Sequence, residues 1–226
     1  MEMEVLPPSP STLEPRSPQG LLGTFNELLT HPLGLIERVR GGGSASPLRL
    51  LAGSAVCYVL YGAAAGFFQG GDQILVSALK TPLIILFALG LCLPSLYVFS
   101  AVAGADWNRR TFLVLVAGFA GTLALILLAL LPVNWLFSVS SRRLGSAVFI
   151  HFILWFLALS LAWRFLGQSL RAIGARGALV LWLFLFCVVS LQTTTFLRPV
   201  LERKSGEPLF VNGKKSFLEH MGDVFD

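Results

Sequence analysis

The chain has 226 residues, with 17 Lys and Arg against 12 Asp and Glu for a net charge of +5; only 13% of residues are charged, 55% are hydrophobic, and the mean hydropathy is +0.75. A water-soluble domain with so little charge would expose apolar surface and associate, so the composition points to a protein whose solvent is lipid. The expected partners are the lipid bilayer and other membrane proteins or a second copy of the chain, not nucleic acid.

The first twenty residues combine Pro7, Pro8, Pro10, Pro15 and Pro18 with Glu2, Glu4 and Glu14. Such a segment buries too little apolar area to order itself, and it lacks the basic start and apolar stretch of a signal peptide. Residues 21–43 differ: Leu21, Leu22, Phe25, Leu28 and Leu29 recur at helical spacing, with Thr24, Asn26 and Glu27 on the other side. Pro32 restarts the pattern as a first-turn proline, and Leu35, Ile36 and Val39 form a second stripe opposite Glu37, Arg38 and Arg40. Two readings follow. The helices lie in the membrane interface with Arg38 and Arg40 at the headgroups, or they pack beneath the bundle as a cap. Gly41, Gly42 and Gly43 make a flexible joint, with no Gly-Lys-Ser/Thr to form a phosphate-binding loop.

Residues 44–199 form a transmembrane domain. Five stretches, 50–71, 81–105, 111–141, 144–163 and 177–197, contain no Asp, Glu, Lys or Arg, and each is long enough for the roughly 20 apolar residues that cross the hydrocarbon core. The expected fold is all-α, a polytopic membrane helix bundle of five spans at 50–71, 82–104, 112–136, 145–164 and 177–197. In the first span Gly62, Gly66 and Gly70 recur every four residues and leave one helix side open to close packing, within the chain or between copies. Ile74, Leu75, Ala78 and Leu79 suggest a short interfacial helix ended by Lys80 and Pro82, with Asp72 and Lys80 as independent charges at headgroup level. Pro94 and Pro132 predict kinks in the second and third spans.

Arg38, Arg40, Arg49, Arg109, Arg110, Arg164, Arg171 and Arg176 gather on one side, outweighing Lys80, Arg142, Arg143 and Arg198 on the other, with Arg203 and Lys204 farther out. The bias favours a cytoplasmic N-terminus and, with five spans, a C-terminus outside. On that topology Gln69, Asp72, Asn134, His151, Gln192, Thr193, Thr194 and Thr195 come to one depth near the outer face, a candidate polar cluster. His151 is the ionisable side chain well inside a span.

Residues 200–226 are a polar tail. Asn212-Gly213 reads as a hairpin turn, and Ser216 and Glu219 have capping-box spacing ahead of an amphipathic stretch. Cys57, Cys92 and Cys187 lie in different apolar runs and imply no disulfide framework; His31, His151 and His220 stand apart, so no metal site and no cofactor is expected. No HExxH, Gly-x-Ser-x-Gly or P-loop occurs, nor any carboxylate inside a span, and a non-enzymatic role is expected.

The run Glu27-Leu28-Leu29-Thr30-His31-Pro32-Leu33-Gly34-Leu35-Ile36-Glu37-Arg38-Val39-Arg40, set just before five closely spaced helices, resembles the approach to the membrane in bacterial members of the Yip1-like superfamily. The end of the fifth span, through Leu197-Arg198-Pro199 to Pro208-Leu209-Phe210, is similar to the tail of bacterial five-span membrane proteins without an established activity. The resemblance implies a bacterial inner-membrane protein, N-terminus cytoplasmic and C-terminus periplasmic. The amphipathic termini and the Gly62, Gly66 and Gly70 side of the first span, available for protein and lipid contacts, lead to the expectation of a non-enzymatic scaffold or assembly subunit. The alternative is a small transporter or channel whose outer vestibule surrounds His151.

Overall fold

A computed structural model describes residues 20–41, 43, 45–68, 71–105, 108–141, 144–172, 174 and 179–196. The expected proline-rich segment, the whole of the C-terminal tail with its hairpin and helix, Gly42, Gln69 and Gly70, and Arg142, Arg143, Arg176 and Arg198 lie outside the described residues. Within them the chain is helical: α1 (Leu21–Thr30), α2 (Pro32–Arg40), α3 (Pro47–Gly66), α4 (Gln73–Val102), α5 (Arg109–Ala129), α6 (Leu131–Ser140), α7 (Leu144–Ala172) and α8 (Leu179–Phe196). The protein is an all-α membrane-type bundle in which α3, α4, α5 and the Gly145–Arg171 part of α7 are long and apolar enough to cross a bilayer.

α5 is the axis of the fold. Val114, Leu115, Ala117, Leu123, Ala124 and Leu127 along it are completely buried, and α1, α2, α3 and α7 pack around it. Tyr58 of α3 donates its hydroxyl hydrogen to the Ala120 carbonyl at 2.6 Å, near mid-span of both helices. α8 packs on α4, where Trp182 Nε1 donates to the Cys92 carbonyl at 2.8 Å. It also meets α5 edge-on through Phe119, whose ring lies 5.6 Å from Trp182 and 5.7 Å from Phe186. The outer surface carries large apolar side chains: Leu75, Leu79, Leu83, Phe87 and Leu91 form an exposed ridge at four-residue spacing on α4. In lipid such a ridge is the solvent-facing side.

Several boundaries depart from the sequence expectation. The first span stops at Gly66 rather than 71, followed by a turn at Phe67 and Phe68. The short interfacial helix expected after it is instead the first part of α4, which continues through Lys80 and Pro82. Pro82 removes one N–H and leaves the Ala78 carbonyl without its helical donor, a local loss that a long packed helix tolerates. The third span breaks at Leu130, two residues before Pro132, so α5 and α6 are separate helices joined at a bend. α7 runs to Ala172, past the exposed Arg164, because a charge ends the apolar stretch without ending the helix. α8 has 18 residues with an apolar stretch at Val180–Thr194, shorter than the four long helices.

α1 and α2 are not laid flat against the outside. Phe25, Leu28, Leu35, Ile36 and Val39 are buried within the core they share with α3, α5 and α7, the packed arrangement rather than the interfacial one. The space for them comes from α5 glycines. A Cβ on Gly121 would lie 2.9 Å from a Leu28 methyl and 3.3 Å from the Phe25 ring, and one on Gly118 would lie 2.8 Å from Phe165.

Candidate functional site

Chain direction places the end of α3, the start of α4, α6, the start of α7 and the end of α8 at one pole of the bundle, opposite the arginines of α2, α3 and α5. The polar side chains at this pole fall into three neighbourhoods rather than the single expected cluster.

The first joins α3, α6 and α7. The ring of His151 lies against that of Tyr61, centroids 5.5 Å apart and planes tilted by 34°. Asn134 is buried and sends Nδ2 toward the Tyr61 carbonyl at 3.4 Å. Its placement follows from the bend before α6: Asn134 and Ser138, one turn apart, face inward while Trp135, Leu136 and Phe137 face out. Tyr61 Oη and His151 Nδ1 are both enclosed and have no hydrogen-bond partner. Asn134 and His151 thus do converge, on a tyrosine that the sequence reading passed over. Tyr61 stands one helical turn after Tyr58, and that pair, two phenols on one face of an apolar helix, was the available signal.

The second is the seam between α3 and α4. A Cβ on Gly62 would lie 2.5 Å from both the Ser77 carbonyl oxygen and Thr81 Oγ1, and one on Gly66 would lie 2.6 Å from Ile74 Cα and 2.9 Å from the Gln73 carbonyl oxygen. The two glycines therefore seat α4 against α3 inside the chain. Gln73, Ser77 and Thr81 are buried along this seam, and Thr81 Oγ1 donates to the Ser77 carbonyl at 2.8 Å.

The third is a level rather than a contact, shared by Lys80 of α4 and the end of α8. Lys80 is only 4% exposed. Rather than standing open as an independent charge, it sits two turns inside α4, on the side shared with Gln73, Ser77 and Ile84, and is enclosed by protein. Asp72, the residue before α4, is exposed. Measured from the Trp182–Cys92 bond, with α8 running back along α4, Lys80 and Thr194 lie twelve residues away in opposite chain directions and so at about the same level. Thr193 is buried and Thr194 half-buried, their hydroxyls donating to the Val189 and Ser190 carbonyls at 2.7 and 2.9 Å. Gln192 is exposed, and the Thr195 side chain is outside the described residues.

At the opposite pole Arg38 is half-buried and paired with Glu27 across the α1–α2 hairpin, while Arg40 is exposed. Among the described residues no group of three or more His, Cys, Asp or Glu is arranged to hold a metal ion. No protein-family model, curated protein or solved structure matches the chain.

Proposed function

We propose that this protein binds a small polar solute between α3, α6 and α7 and conducts it across the membrane, a non-enzymatic transporter or channel. The observation that carries the reading is the packing of the Tyr61 and His151 rings against one another, with Tyr61 Oη and His151 Nδ1 both enclosed and both without a partner. An enclosed hydroxyl or ring nitrogen left unpaired in lipid is costly, and polar side chains kept inside membrane helices mark binding sites and pathways. A phenol and an imidazole supply both hydrogen-bond donors and acceptors, which suits a neutral or zwitterionic solute that hydrogen-bonds.

The arginine-rich pole faces the cytoplasm in this reading, by the positive-inside tendency, and the Tyr61–His151 pole faces outward. With α8 as a fifth crossing the C-terminus lies outside; a bacterial inner membrane fits the Yip1-like plan. The scaffold or assembly-subunit reading has less to rest on. Gly62 and Gly66 are taken up by α4, and the apolar faces of α1 and α2 by the bundle, so neither is left for a partner.

The test is solute uptake into proteoliposomes from a panel of amino acids, sugars, small alcohols and inorganic ions. At least one solute is expected to enter faster than into empty vesicles, with uptake abolished by Tyr61→Phe and His151→Leu while gel-filtration profile and helix content stay unchanged. Flux equal to empty vesicles for the whole panel would sink the reading and return the scaffold role to first place.

A further inference from the structure

The helical hairpin α1–α2 occupies a depth that its amphipathic sequence does not require. Leu28 meets α5 at Gly118 and Gly121, nine and twelve residues from the start of α5 at Arg109. At about 1.5 Å per residue this is roughly 13–18 Å along the helix, against a hydrocarbon half-thickness of about 15 Å. The hairpin therefore reaches about the middle of the bundle from the arginine-rich pole, filling the space between α3, α5 and α7.

Its polar groups, however, make no use of the bundle. Thr24 and Thr30 donate to the Gly20 and Asn26 carbonyls, and Arg38 pairs with Glu27. The main-chain bonds at its turns, from His31 to Glu27, Gly34 to His31, Gly41 to Glu37 and Gly43 to Arg38, close within it as well. Among the described residues, the hydrogen bonds and the ion pair of the hairpin are internal to it, and its seat on the bundle is made of apolar contacts. Asn26, Thr30, His31, Glu37 and Arg40 stay exposed on its outer face.

We infer that α1–α2 is a removable plug that closes the arginine-rich half of the bundle, alternating between this seat and the membrane interface. Leaving the seat breaks no hydrogen bond. Apolar side chains that leave a protein core for the acyl boundary lose packing but are not returned to water, so the docked and interfacial states differ far less than in a soluble protein. The interfacial state is the one the amphipathic stripe and the arginines encode by themselves. Withdrawal uncovers Gly121 and the neighbouring Ser54, groups small enough to admit water or solute from that side.

The inference is independent of which solute, if any, the protein carries, and so is its test. In a background lacking Cys57, Cys92 and Cys187, Ser54→Cys places a thiol at the floor of the seat, where Ser54 is fully buried. A membrane-impermeant methanethiosulfonate applied to the arginine-rich side is expected to label it slowly, and about tenfold or more faster when Leu28→Glu disfavours docking, since a buried leucine contributes that much to the docked population. Amide exchange of the unmodified chain in lipid nanodiscs supplies a check that needs no variant: residues 21–40 are expected to exchange together and well ahead of 109–129. Labelling unaffected by Leu28→Glu in a folded protein, or protection of 21–40 equal to that of α5, would overturn the inference and make the hairpin a fixed part of the core.

Discussion

Tyr58 and Ala120 are joined by a 2.6 Å hydrogen bond that crosses from α3 to α5 at mid-span, where the phenol is completely buried. Tyr58→Phe keeps the ring and removes the bond. The expected loss is about 1 kcal/mol of unfolding free energy, because the Ala120 carbonyl keeps its place in the α5 ladder and only the extra donor is lost. Unfolding in mixed micelles with increasing dodecyl sulfate measures it; a loss above about 3 kcal/mol would mean the hydroxyl holds more than this one contact.

The glycines of α3 and α4 separate packing from composition. Gly66→Ala forces a methyl onto the backbone of α4 at Ile74 and Gln73, and is expected to cost about 1–3 kcal/mol as α4 is pushed away. Gly90→Ala, in the same membrane-type bundle but with open space around it, is expected to change stability by less than about 0.5 kcal/mol. Thermal melts of the two variants in one detergent give the comparison; equal effects would contradict the α3–α4 seam.

Trp182 fixes α8 to α4 through Cys92 and stacks on Phe186 at 5.4 Å. Trp182→Phe loses the indole N–H and part of the ring area. The Cys92 carbonyl still receives the Ser95 hydroxyl at 2.7 Å, so no acceptor is orphaned. The expected cost is about 1–2 kcal/mol, with faster amide exchange confined to 179–196.

Lys80 gives a chemical test of burial. In native membranes a water-soluble, membrane-impermeant amine reagent is expected to leave Lys80 unmodified, as its 4% exposure requires, and to modify it after denaturation. Peptide mapping reads the result. Rapid labelling in the native state would place the ammonium back at the headgroups.

Much of this was legible in the sequence, and the misreadings share one cause. Charge-free runs located the long helices because lipid tolerates little else, and the four-residue glycine spacing foretold a close helix contact that proves to lie within the chain. α4 was misread because its apolar stripe, Leu75 and Leu79, was given to the interface; the complementary stripe of Gln73, Ser77, Lys80 and Thr81 is what faces the protein. In a membrane bundle amphipathicity is inverted, and the polar side points inward. The cluster split for a related reason: shared depth was read from topology, but azimuth around each helix was not, so Asn134 and His151 met while Gln192 turned outward. The N-terminal hairpin was legible as amphipathic, and its depth was not, because the notch that receives it is centred on Gly121, more than ninety residues from Leu28 in the chain.

Solute binding between Tyr61 and His151 is read most directly by native mass spectrometry of the protein released from membranes in a mild detergent and from nanodiscs, beside Tyr61→Phe and His151→Leu. A small polar adduct is expected on the wild-type chain, or one acquired from a solute mixture, that is lost from both variants while they remain folded. The same adducts on all three proteins, or none on any of them, would contradict a binding site between Tyr61 and His151.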